Sequence, residues 1–496
     1  MNISQPPPSS HKGVVEIGPT QLLIDGKFQD AKSSKTFPTV DPVTDEIIAQ
    51  IAEGNTEDID LAVRSSHQAL NEGPWSRMTA RERGQLMFKW ADLLESHSED
   101  LARLESLDNG KAIRDSRNGD IPGAIECIRY FAGWADKIHG KTIPTAGPYL
   151  TYTTREPVGV CGLIIPWNYP MNMAAWKLGP ALAAGCTTIL KPAEQTPLTA
   201  LSMGKLALEA GIPKGVLNVI PGFGPTAGAA LVQHPLVQKI GFTGEASTAA
   251  VIKAETISTM KRLSFELGGK SPNIFFDDVD LRSAVQGAFG AIYSNMGQNC
   301  CAGSRTFIQA GIYDEFVERF SKLAKGRKVG DNFHDETEHG AQVDRAQHEK
   351  ILRYIDEGKS QGANCVTGGV SPFDTGCFVA PTVFSEVTDS MIIAREEIFG
   401  PVACLIRFET MDEVIRRANE TIFGLAAGVW TKDINKAHQV ASRLKAGTVW
   451  INCYNMVDPA APFGGFKMSG LGRDLGEQAF DAYTETKTTT VYTPTI

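Results

Sequence analysis

The sequence predicts an α/β protein in which a doubly wound parallel sheet is followed by a second α/β unit. Three observations support this fold class. The 496 residues exceed the length of one simple domain and suggest about three units. Five apolar, strand-like segments alternate with helical stretches between residues 158 and 269. A second series of the same kind begins near residue 401.

Composition excludes several classes of protein. Apolar residues make up 42% and charged residues 21% of the chain, which is typical of soluble globular proteins and not of disordered ones. The net charge of −9 gives no general attraction for nucleic acid or anionic membranes. The nine cysteines are an odd number without an even-spaced framework, which favours free thiols in a reducing compartment. We therefore expect a cytoplasmic protein that binds neither nucleic acid nor membrane.

The N-terminal segment and the longest apolar stretch both fit this expectation. Residues 1–16 lack an apolar signal core and are predicted to be a disordered arm. The stretch from Val158 to Leu190 holds a single charged residue, Lys177, but three prolines and two asparagines interrupt it. No apolar run therefore approaches the ~20 residues that a membrane span needs.

The N-terminal region is predicted to be helical after a short β-rich opening. Apolar residues from Arg81 to Leu107 recur near helical spacing and indicate a surface helical layer without a catalytic role. The polar stretch from Lys141 to Thr154 predicts a linker or a hairpin. The C-terminal segment TETKTTTVYTPTI is rich in Thr, so we expect it to pair as a strand with another element or another subunit.

The predicted strands of the first sheet are the apolar runs VGVCGLIIP, TTILKP, VLNVIPG, VQKIGFTG and RLSFELGG. A helix is expected to start with Thr196 as N-cap and Pro197 as its first residue, and to end at Gly211. The second series consists of PVACLIRF, a helix from Met411, AAGVWT, a helix from Ile434 and GTVWIN. Such alternation indicates parallel sheets in both units.

Ligands of open parallel sheets bind beyond the carboxyl ends of the strands, so the residues there are candidates for a binding site. They are Pro166, Trp167, Asn168, Lys191, Glu194, Gly222, Gly224, Gly244, Glu266, Gly268 and Gly269. A lysine can pair with phosphate or ribose, a carboxylate can accept both ribose hydroxyls, and glycine-rich helix starts can hold a pyrophosphate. These residue types suit a dinucleotide. The motif G-x-G-x-x-G is absent, and ordinary turn glycines remain the alternative.

The pair Cys300-Cys301 is the second candidate feature. It follows a predicted helix from Asp280 to about Tyr293 and a loop that contains Gly297. A thiolate held rigidly in such a loop is a strong nucleophile, whereas most cysteines are buried as small apolar side chains. Residue type alone leaves both interpretations open. No spacing of His and Cys suggests zinc, and we expect no metal site.

Longer stretches of the sequence resemble a known family. These stretches are PWNYP, AWKLGPALAAGCT, KPAEQTP, GFGPTAG, GFTG, FELGGKSPNI, GQNCCAGSR, EEIFGPV and PFGGFKMSGLGRD. From about Ile24 to Thr490 the chain is similar to NAD(P)-dependent aldehyde dehydrogenases, whose active-site signatures are FELGGK and GQxC. FAGWADKIHGKTIP and WINCY resemble the cytosolic and mitochondrial class, which oxidises aliphatic, aromatic and retinoid-type aldehydes.

The resemblance implies roles for individual residues. Cys300 is implied as the nucleophile, Glu266 as the general base and Asn168 as a donor to the oxyanion. Lys177 and Asp474 match positions linked to a proton path from the base. The cofactor is implied to be NAD, with NADP less favoured because Glu194 would repel a 2′-phosphate. The implied cofactor-binding residues are Ile164, Pro166, Trp167, Lys191, Glu194, Gly224, Phe242, Gly244, Glu245, Leu267, Gln347, Glu397 and Phe399.

The substrate channel is expected to be apolar and of moderate width. Its implied wall consists of Tyr169, Met173, Trp176, Ser294, Cys301, Val457 and Phe463. Ser294 and Val457 stand where relatives often carry aromatic residues, so the channel is expected to be wider than in acetaldehyde-preferring members. No arginine stands at these positions to hold the carboxylate of a semialdehyde. Medium-chain aliphatic or aromatic aldehydes are therefore the expected substrates.

The implied reaction oxidises the aldehyde to the acid through a thiohemiacetal and a thioester on Cys300, which water activated by Glu266 then hydrolyses. The resemblance implies three parts of the chain: a dinucleotide-binding domain (residues 17–136 and 157–268), a catalytic domain (269–471) and a β extension (137–156 and 478–496). The β extension is implied to join subunits into homodimers or homotetramers.

Some positions depart from the family pattern. Glu245 occupies the predicted first helix position where a pyrophosphate is expected, and Ala249 replaces a glycine, so Glu245 is expected either to point away or to weaken cofactor binding. Asp474 stands where relatives often carry Glu. Two alternatives on the same fold are disfavoured. A non-catalytic structural relative would lack Cys300 or Glu266, and a CoA-acylating relative has no use for Glu266.

Overall fold

The computed structural model describes residues 15–494. The predicted disordered arm, residues 1–16, lies outside the described residues except for its last two. The described chain opens with four short strands and six helices, and a π-helical turn at Ser116–Asp120 precedes the sixth helix. Their bounds are β1 Leu22–Ile24, β2 Lys27–Gln29, β3 Thr36–Val40, β4 Ile47–Ala52, α1 Thr56–Asn71, α2 Pro74–Arg77, α3 Ala80–Ser96, α4 Ser98–Asn109, α5 Ile113–Asp115 and α6 Ile121–Trp134.

The helical layer predicted from Arg81 to Leu107 consists of two helices, α3 and α4, which meet at His97. Trp90 on α3 is fully buried, and its indole N–H donates to the carbonyl oxygen of Met203 over 3.1 Å. The layer is therefore part of the protein core and not only a surface cover.

The five strands predicted for the first sheet are all present and pair in parallel, in the order β11-β10-β7-β8-β9. The elements of this region are β5 Thr142–Ile143, β6 Tyr149–Pro157, β7 Val160–Ile164, α7 Pro170–Ala184, β8 Thr187–Lys191, α8 Leu198–Ala210, β9 Leu217–Val219, α9 Ala229–Gln233, β10 Lys239–Gly244, α10 Ala246–Glu255 and β11 Arg262–Leu267. β1 and β2 extend the sheet beyond β9, and the short strand Gly470–Leu471 pairs with β11 at the other edge. These edge pairings are antiparallel, which the sequence did not predict.

Helices cover both faces of this sheet, as a doubly wound fold requires. Along β7, Cys161 and Leu163 face the core formed with α3, α6, α7 and α8. Val160 and Ile164 face the opposite core, formed with α1, α9 and α10. The alternation follows the two-residue period of a strand. Because both faces are buried, β7 contains no polar side chain, and this made the strand visible in the sequence.

The start of α8 differs by one residue from the prediction. Pro197 is the N-cap, Leu198 is the first helical residue, and the hydroxyl of Thr196 makes no cap hydrogen bond. The N–H of Leu198 instead donates to Asp108 Oδ2 over 2.9 Å. A carboxylate from α4 thus satisfies the helix start, and local sequence around the cap does not reveal such a partner. Gly211 ends the helix in the left-handed conformation, as predicted.

The second unit is built on a seven-stranded sheet in the order β14-β15-β16-β13-β12-β17-β18, in which only the β14–β15 pairing is antiparallel. The sequence predicts β16, β17 and β18, whereas the strands β12 to β15 were not predicted. The elements are β12 Pro272–Phe275, α11 Leu281–Tyr293, β13 Arg305–Gln309, α12 Tyr313–Gly326, α13 Arg345–Ser360, β14 Asn364–Thr367, β15 Thr382–Ser385, α14 Ile392–Arg395, β16 Val402–Phe408, α15 Met411–Asn419, β17 Ala426–Trp430, α16 Ile434–Arg443, β18 Thr448–Ile451, β19 Gly470–Leu471, α17 Phe480–Tyr483 and β20 Thr484–Tyr492.

The Thr-rich tail forms β20, which pairs antiparallel with β6 along its full length. β6 also pairs with β5, so the stretch from Lys141 to Thr154 contains a hairpin, one of the two predicted forms. The tail therefore finds its strand partner within its own chain. Across residues 15–494, no helix combines the length and the apolar character that a membrane span needs.

The core position of Trp90 leads to a test of the helical layer. We expect Trp90→Ala to lower the free energy of unfolding by about 3–5 kcal/mol, because it leaves a cavity and frees the carbonyl of Met203. Phe88→Ala on the same helix is the matched control: Phe88 is 42% exposed, and its loss should cost well under half as much. Urea unfolding monitored by far-ultraviolet circular dichroism measures both free energies without relying on tryptophan fluorescence. Equal midpoints for the two variants would contradict the burial of this helix.

Candidate active site

One cavity of about 380 Å³ lies between the carboxyl ends of β7, β10 and β11 and the loops of the second unit. It brings together 19 of the candidate site residues named from the sequence. They are Pro166, Trp167, Asn168, Tyr169, Met173, Trp176, Gly244, Glu245, Glu266, Leu267, Gly268, Ser294, Cys300, Cys301, Gln347, Glu397, Phe399, Val457 and Phe463. The other nine do not line it. They are Ile164, Lys177, Lys191, Glu194, Gly222, Gly224, Phe242, Gly269 and Asp474.

A left-handed turn delivers the two thiols to the cavity. Asn295, Met296 and Gly297 all have positive φ, at 49°, 55° and 74°. Methionine rarely adopts this conformation, so the surrounding packing must hold it there. A side chain at Gly297 would collide with the carbonyl oxygen of Gly400, 2.1 Å from the Cβ position. The turn that follows α11 is therefore fixed by contacts from the β16 side of the second unit.

The two adjacent thiols share one amide. Cys301 Sγ donates to Asn299 Oδ1 over 3.3 Å and to Asn455 Oδ1 over 3.4 Å, whereas Cys300 Sγ is 3.9 Å from Asn299 Oδ1. Cys301 is buried and Cys300 is partly exposed. The Cys301 thiol and burial raise the pKa of the Cys300 thiol well above its usual range, and the carboxylates of Glu397 and Glu266 add to this effect.

Asn168 joins the first sheet to the loop that carries the two thiols, residues 294–301, which we call the thiol loop. Its Nδ2 donates to the carbonyl of Gln298 over 3.0 Å. Its own carbonyl accepts from Lys111 Nζ and from Asn295 Nδ2, each over 2.9 Å. Lys111 is completely buried and is paired with Asp120. The amide of Asn168 retains its second N–H, which can donate to an anion that forms next to Cys300.

Glu266 lies on β11 with its side chain buried, and Glu266 Oε2 makes no hydrogen bond to any residue between 15 and 494. Burial raises the pKa of Glu266 well above its usual range, and the carboxylate of Asp474 raises it further. Lys177 and Arg473 act in the opposite direction. Gly464 leaves room for the carboxyl, since a Cβ there would lie 2.8 Å from Glu266 Oε1.

Lys177 and Asp474 form an ion pair behind Glu266, not in the cavity wall. Lys177 Nζ is 2.9 Å from Asp474 Oδ2, and both side chains are almost fully buried. Asp474 reaches this position because it pairs with Phe463 through an antiparallel bridge. The pair therefore adjoins the buried carboxyl, and its two charges shift the pKa of Glu266 in opposite directions, in addition to the larger effect of burial.

A second group of predicted residues lies at the other end of the cavity. Glu397 accepts from the N–H of Gly269 over 2.9 Å, and burial raises the pKa of Glu397 to about 7. Phe399 has a left-handed backbone, with φ at 58°, and packs edge-on against Trp167 at 5.2 Å between ring centres. Gln347 Nε2 donates to the carbonyl of Phe399 over 2.7 Å. A flat ring can lie beside Phe399, with a carboxylate nearby to accept hydroxyl hydrogen bonds.

The predicted adenosine-binding residues lie outside the cavity, at the ends of β8 and β9 on the same edge of the sheet. Lys191 Nζ is 3.6 Å from Glu194 Oε2. Burial lowers the pKa of Lys191. Gly224 faces open space, because a Cβ there would meet no atom within 4 Å. These groups suit a ribose diol. Ile164 and Phe242 are buried within their strands.

Glu245 is the N-cap of α10, which begins at Ala246, so its predicted placement as the first helical residue is wrong by one position. Its side chain makes no cap hydrogen bond and is 71% exposed. Lys350 on α13 brings its Nζ to 3.8 Å from Glu245 Oε1 across the cavity mouth. The negative charge at this helix start therefore has a cationic partner that the sequence analysis missed.

All seven predicted substrate residues line the cavity. Met173 and Trp176 lie on α7 and Tyr169 is its N-cap, so these three follow one another at helical spacing. Trp176 packs against Phe463 at 5.4 Å between ring centres. Nine further residues line the cavity that were not predicted from the sequence. They are Gly119, Gly123, Asn172, Thr243, Asn299, Lys350, Asn455, Pro459 and Leu475. Asn172 could have been found from its spacing, because it lies three residues after Tyr169 and four before Trp176 on one helix face.

The chain is similar in sequence and in structure to proteins of one known family. Residues 28–489 match the model of the aldehyde dehydrogenase family. The chain is 54% identical to the human mitochondrial aldehyde dehydrogenase over 97% of this chain and 93% of that protein. It is 50% identical to the mitochondrial benzaldehyde dehydrogenase of Antirrhinum majus over 96% of this chain and 89% of that protein. The structure of an NAD+ complex of a Bacillus cereus aldehyde dehydrogenase superposes with a TM-score of 0.95, at 50% identity and 96% coverage of each chain.

The ion pair behind Glu266 predicts opposite shifts in two variants. Asp474→Asn should lower the pKa of Glu266, because it removes a negative neighbour. Lys177→Met should raise it, because it removes the compensating cation. Infrared titration of the protonated carboxyl band measures the pKa, and Glu266→Gln identifies that band by its loss. Circular dichroism checks folding, since an unpaired buried charge costs about 3–5 kcal/mol. Shifts of the same sign would contradict the predicted electrostatics.

Proposed function

We propose that this chain, which belongs to the aldehyde dehydrogenase family, oxidises an aldehyde to the carboxylic acid and uses NAD as the hydride acceptor. The observation that carries the proposal is the convergence of three groups on one cavity: the partly exposed thiol of Cys300, the amide of Asn168 and the buried carboxyl of Glu266. A nucleophile, an oxyanion donor and a base in one place are the groups that acyl chemistry at a carbonyl needs.

In the proposed first step, Cys300 Sγ bonds to the carbonyl carbon, and the π electron pair moves to the oxygen. The N–H groups of Asn168 Nδ2 and of the Cys300 backbone donate to the resulting oxyanion, and loss of such a donor typically costs about 3–4 kcal/mol. The thiol must first lose its proton, and its raised pKa makes this step easier at alkaline pH. The oxyanion would then re-form the C=O bond as the carbonyl carbon loses its hydride, which leaves a thioester on Cys300. When bound, the nicotinamide would supply the hydride acceptor that no side chain of residues 15–494 offers.

In the proposed second step, Glu266 takes a proton from a water molecule that attacks the thioester, and the Cys300 thiolate leaves with the electron pair of the C–S bond. Only the ionised carboxyl can act as this base, and its pKa is raised, so the hydrolytic step should accelerate as pH rises through that pKa. The Lys177–Asp474 pair lies behind Glu266 and is the proposed route by which the proton leaves the base.

The residues present fit a dinucleotide at most contacts. Glu397 and Phe399 would hold the nicotinamide riboside, and Lys191 and Glu194 the adenosine ribose. Glu245 is the exception, since it places a carboxylate at the helix start that would face the pyrophosphate. Lys350 is close enough to neutralise it. We therefore expect NAD to bind through the other predicted cofactor residues, with an affinity that the charge of Glu245 reduces.

The proposed organisation keeps the boundaries stated from the sequence. Residues 17–136 and 157–268 would bind the dinucleotide, residues 269–471 would complete the catalytic site, and residues 137–156 and 478–496 would join subunits into a homodimer or homotetramer. Exposed apolar side chains on the three-stranded sheet support the last point, among them Tyr149 at 46% and Tyr492 at 62% exposure. Cytoplasmic location stays a prediction, because two of the relatives named above are mitochondrial.

The two half-reactions predict different outcomes for two variants. In Glu266→Gln, rapid mixing with aldehyde and NAD should give up to one NADH per active site, followed by turnover slowed by ~10²–10⁴-fold, because the thioester forms but is hydrolysed slowly. Cys300→Ala should give no NADH at all, since no thiohemiacetal can form. Stopped-flow absorbance measures both phases.

Cys301→Ala is the matched control for this experiment, because it removes the adjacent thiol and should keep both the burst and steady turnover. Added CoA should not accelerate the slow phase of Glu266→Gln if water is the acyl acceptor. Wild-type steady turnover in Glu266→Gln, or a stoichiometric burst in Cys300→Ala, would refute the assignment.

Glu194 predicts a cofactor preference. Repulsion of a 2′-phosphate by about 2 kcal/mol corresponds to a preference for NAD of about 30-fold in kcat/KM. Glu194→Gln keeps the size of the side chain and removes its charge, so the preference should shrink mainly through better use of NADP. Steady-state rates with the two cofactors test this. Glu245→Ser should tighten NAD binding without changing the ratio, and an equal wild-type kcat/KM for NAD and NADP would rule out the role of Glu194.

A further inference from the structure

The α7 wall of the cavity contains one amide among apolar side chains. Tyr169, Met173 and Trp176 flank Asn172 on the same helix face. Asn172 is partly buried, and its side chain makes no hydrogen bond to any residue in the described range 15–494. The amide therefore has two donors and an acceptor available to whatever fills the cavity beside it.

Two glycines lie beside this part of the cavity, one facing open space and one approached closely by the amide. Gly119 lies in the π-helical turn Ser116–Asp120, and Gly123 follows four residues later in the first turn of α6. A Cβ at Gly119 would meet no atom within 4 Å, and a Cβ at Gly123 would lie 3.2 Å from Asn172 Oδ1. Both glycines line the cavity. We call the space bounded by Gly119, Gly123 and Asn172 the amide lobe.

We infer that the amide lobe binds a neutral hydrogen-bonding group, a hydroxyl or a carbonyl, on the part of the aldehyde substrate remote from the reacting carbonyl. This inference rests on the proposed function and narrows its substrate class. An apolar substrate tail in the lobe would strip water from Asn172 and leave its amide unpaired, which is unfavourable. Sites that present a buried polar partner reject analogues without the matching group more strongly than apolar pockets reject an added hydroxyl.

The charges around the lobe favour a neutral group. Two buried lysines lie near the lobe along the chain, and both are already paired: Lys111 with Asp120 and Lys177 with Asp474. Lys111 also lies over the ring of Tyr169, 4.6 Å from the ring centre, and neither lysine lines the cavity. A substrate carboxylate would therefore find no free cation in the lobe, whereas a hydroxyl could donate to Oδ1 and accept from Nδ2 of Asn172.

The experiment compares pairs of aldehydes in which a terminal hydroxyl group of one member is replaced by a methyl group in the other. The pairs are 4-(hydroxymethyl)benzaldehyde with 4-ethylbenzaldehyde, 3-(hydroxymethyl)benzaldehyde with 3-ethylbenzaldehyde, and 6-hydroxyhexanal with heptanal. For each pair, kcat/KM with saturating NAD gives the ratio of hydroxyl to apolar substrate. We expect Asn172→Leu, which is similar in size, to lower this ratio about tenfold in at least one pair.

Asn172→Ala is a second variant and should lower the same ratio, so the test does not depend on accommodation of leucine. Ser294→Ala is the matched control. Ser294 is a polar residue of the same cavity, but its hydroxyl already donates to the carbonyl of Gly290 over 2.6 Å, so the ratio should stay at the wild-type value. Thermal unfolding confirms that each variant is folded.

The outcomes separate this inference from the proposed function. If wild-type protein oxidises both members of every pair and neither Asn172 variant changes any ratio by more than about twofold, the amide lobe does not select for a hydrogen-bonding group. If wild-type protein reduces NAD with none of the six aldehydes, the proposed function itself fails. A loss of ratio in Ser294→Ala equal to that in Asn172→Leu would also overturn the inference, because the effect would then be a general response of the cavity.

Discussion

The hydrogen bonds around the main chain of Asn168 hold the site together. Lys111 from the N-terminal helices and Asn295 from the thiol loop both donate to its carbonyl, while its side chain donates to Gln298 in the same loop. This junction links the end of β7 to the segment that carries Cys300. Because the two units meet here through fixed polar groups, the Cys300 loop and the Asn168 amide keep their relative position without help from a ligand.

Burial and neighbouring groups raise the pKa values of three titratable side chains at the site. The thiol of Cys300 and the carboxyls of Glu266 and Glu397 all have raised pKa values, and loss of water contributes to each shift. The resting cavity is therefore closer to neutral than its list of acidic residues suggests. The buried Lys177–Asp474 ion pair lies behind the cavity wall, where Asp474 raises and Lys177 lowers the pKa of Glu266. Removing either member would therefore both shift the pKa of Glu266 and leave a buried charge unpaired.

Glu245 illustrates how one substitution in a motif is accommodated by a distant element. The helix start it occupies favours negative charge in general, so the residue is acceptable for the fold of α10. Its cost would fall on the ligand, because its negative charge would repel a pyrophosphate at the same helix start. Lys350 comes from α13, about a hundred residues later in the chain, and reduces that conflict from across the cavity.

The sequence by itself determined the elements whose pattern is local and regular. The five strands of the first sheet and the later strands β16 and β17 are largely buried apolar runs bounded by turn residues, β18 is a short partly buried run, and the helix before Cys300 has a regular apolar face. The motifs FELGGK and GQxC also fixed the family and selected Cys300 and Glu266. Tertiary structure alone decided the features that depend on contacts between distant residues. These include the Asp108 cap of α8, the Lys350 partner of Glu245, and the lobe that Gly119 and Gly123 open beside Asn172. No local pattern predicts them, because each arises where separate helices and loops meet in space, and the partner can stand at any distance along the chain.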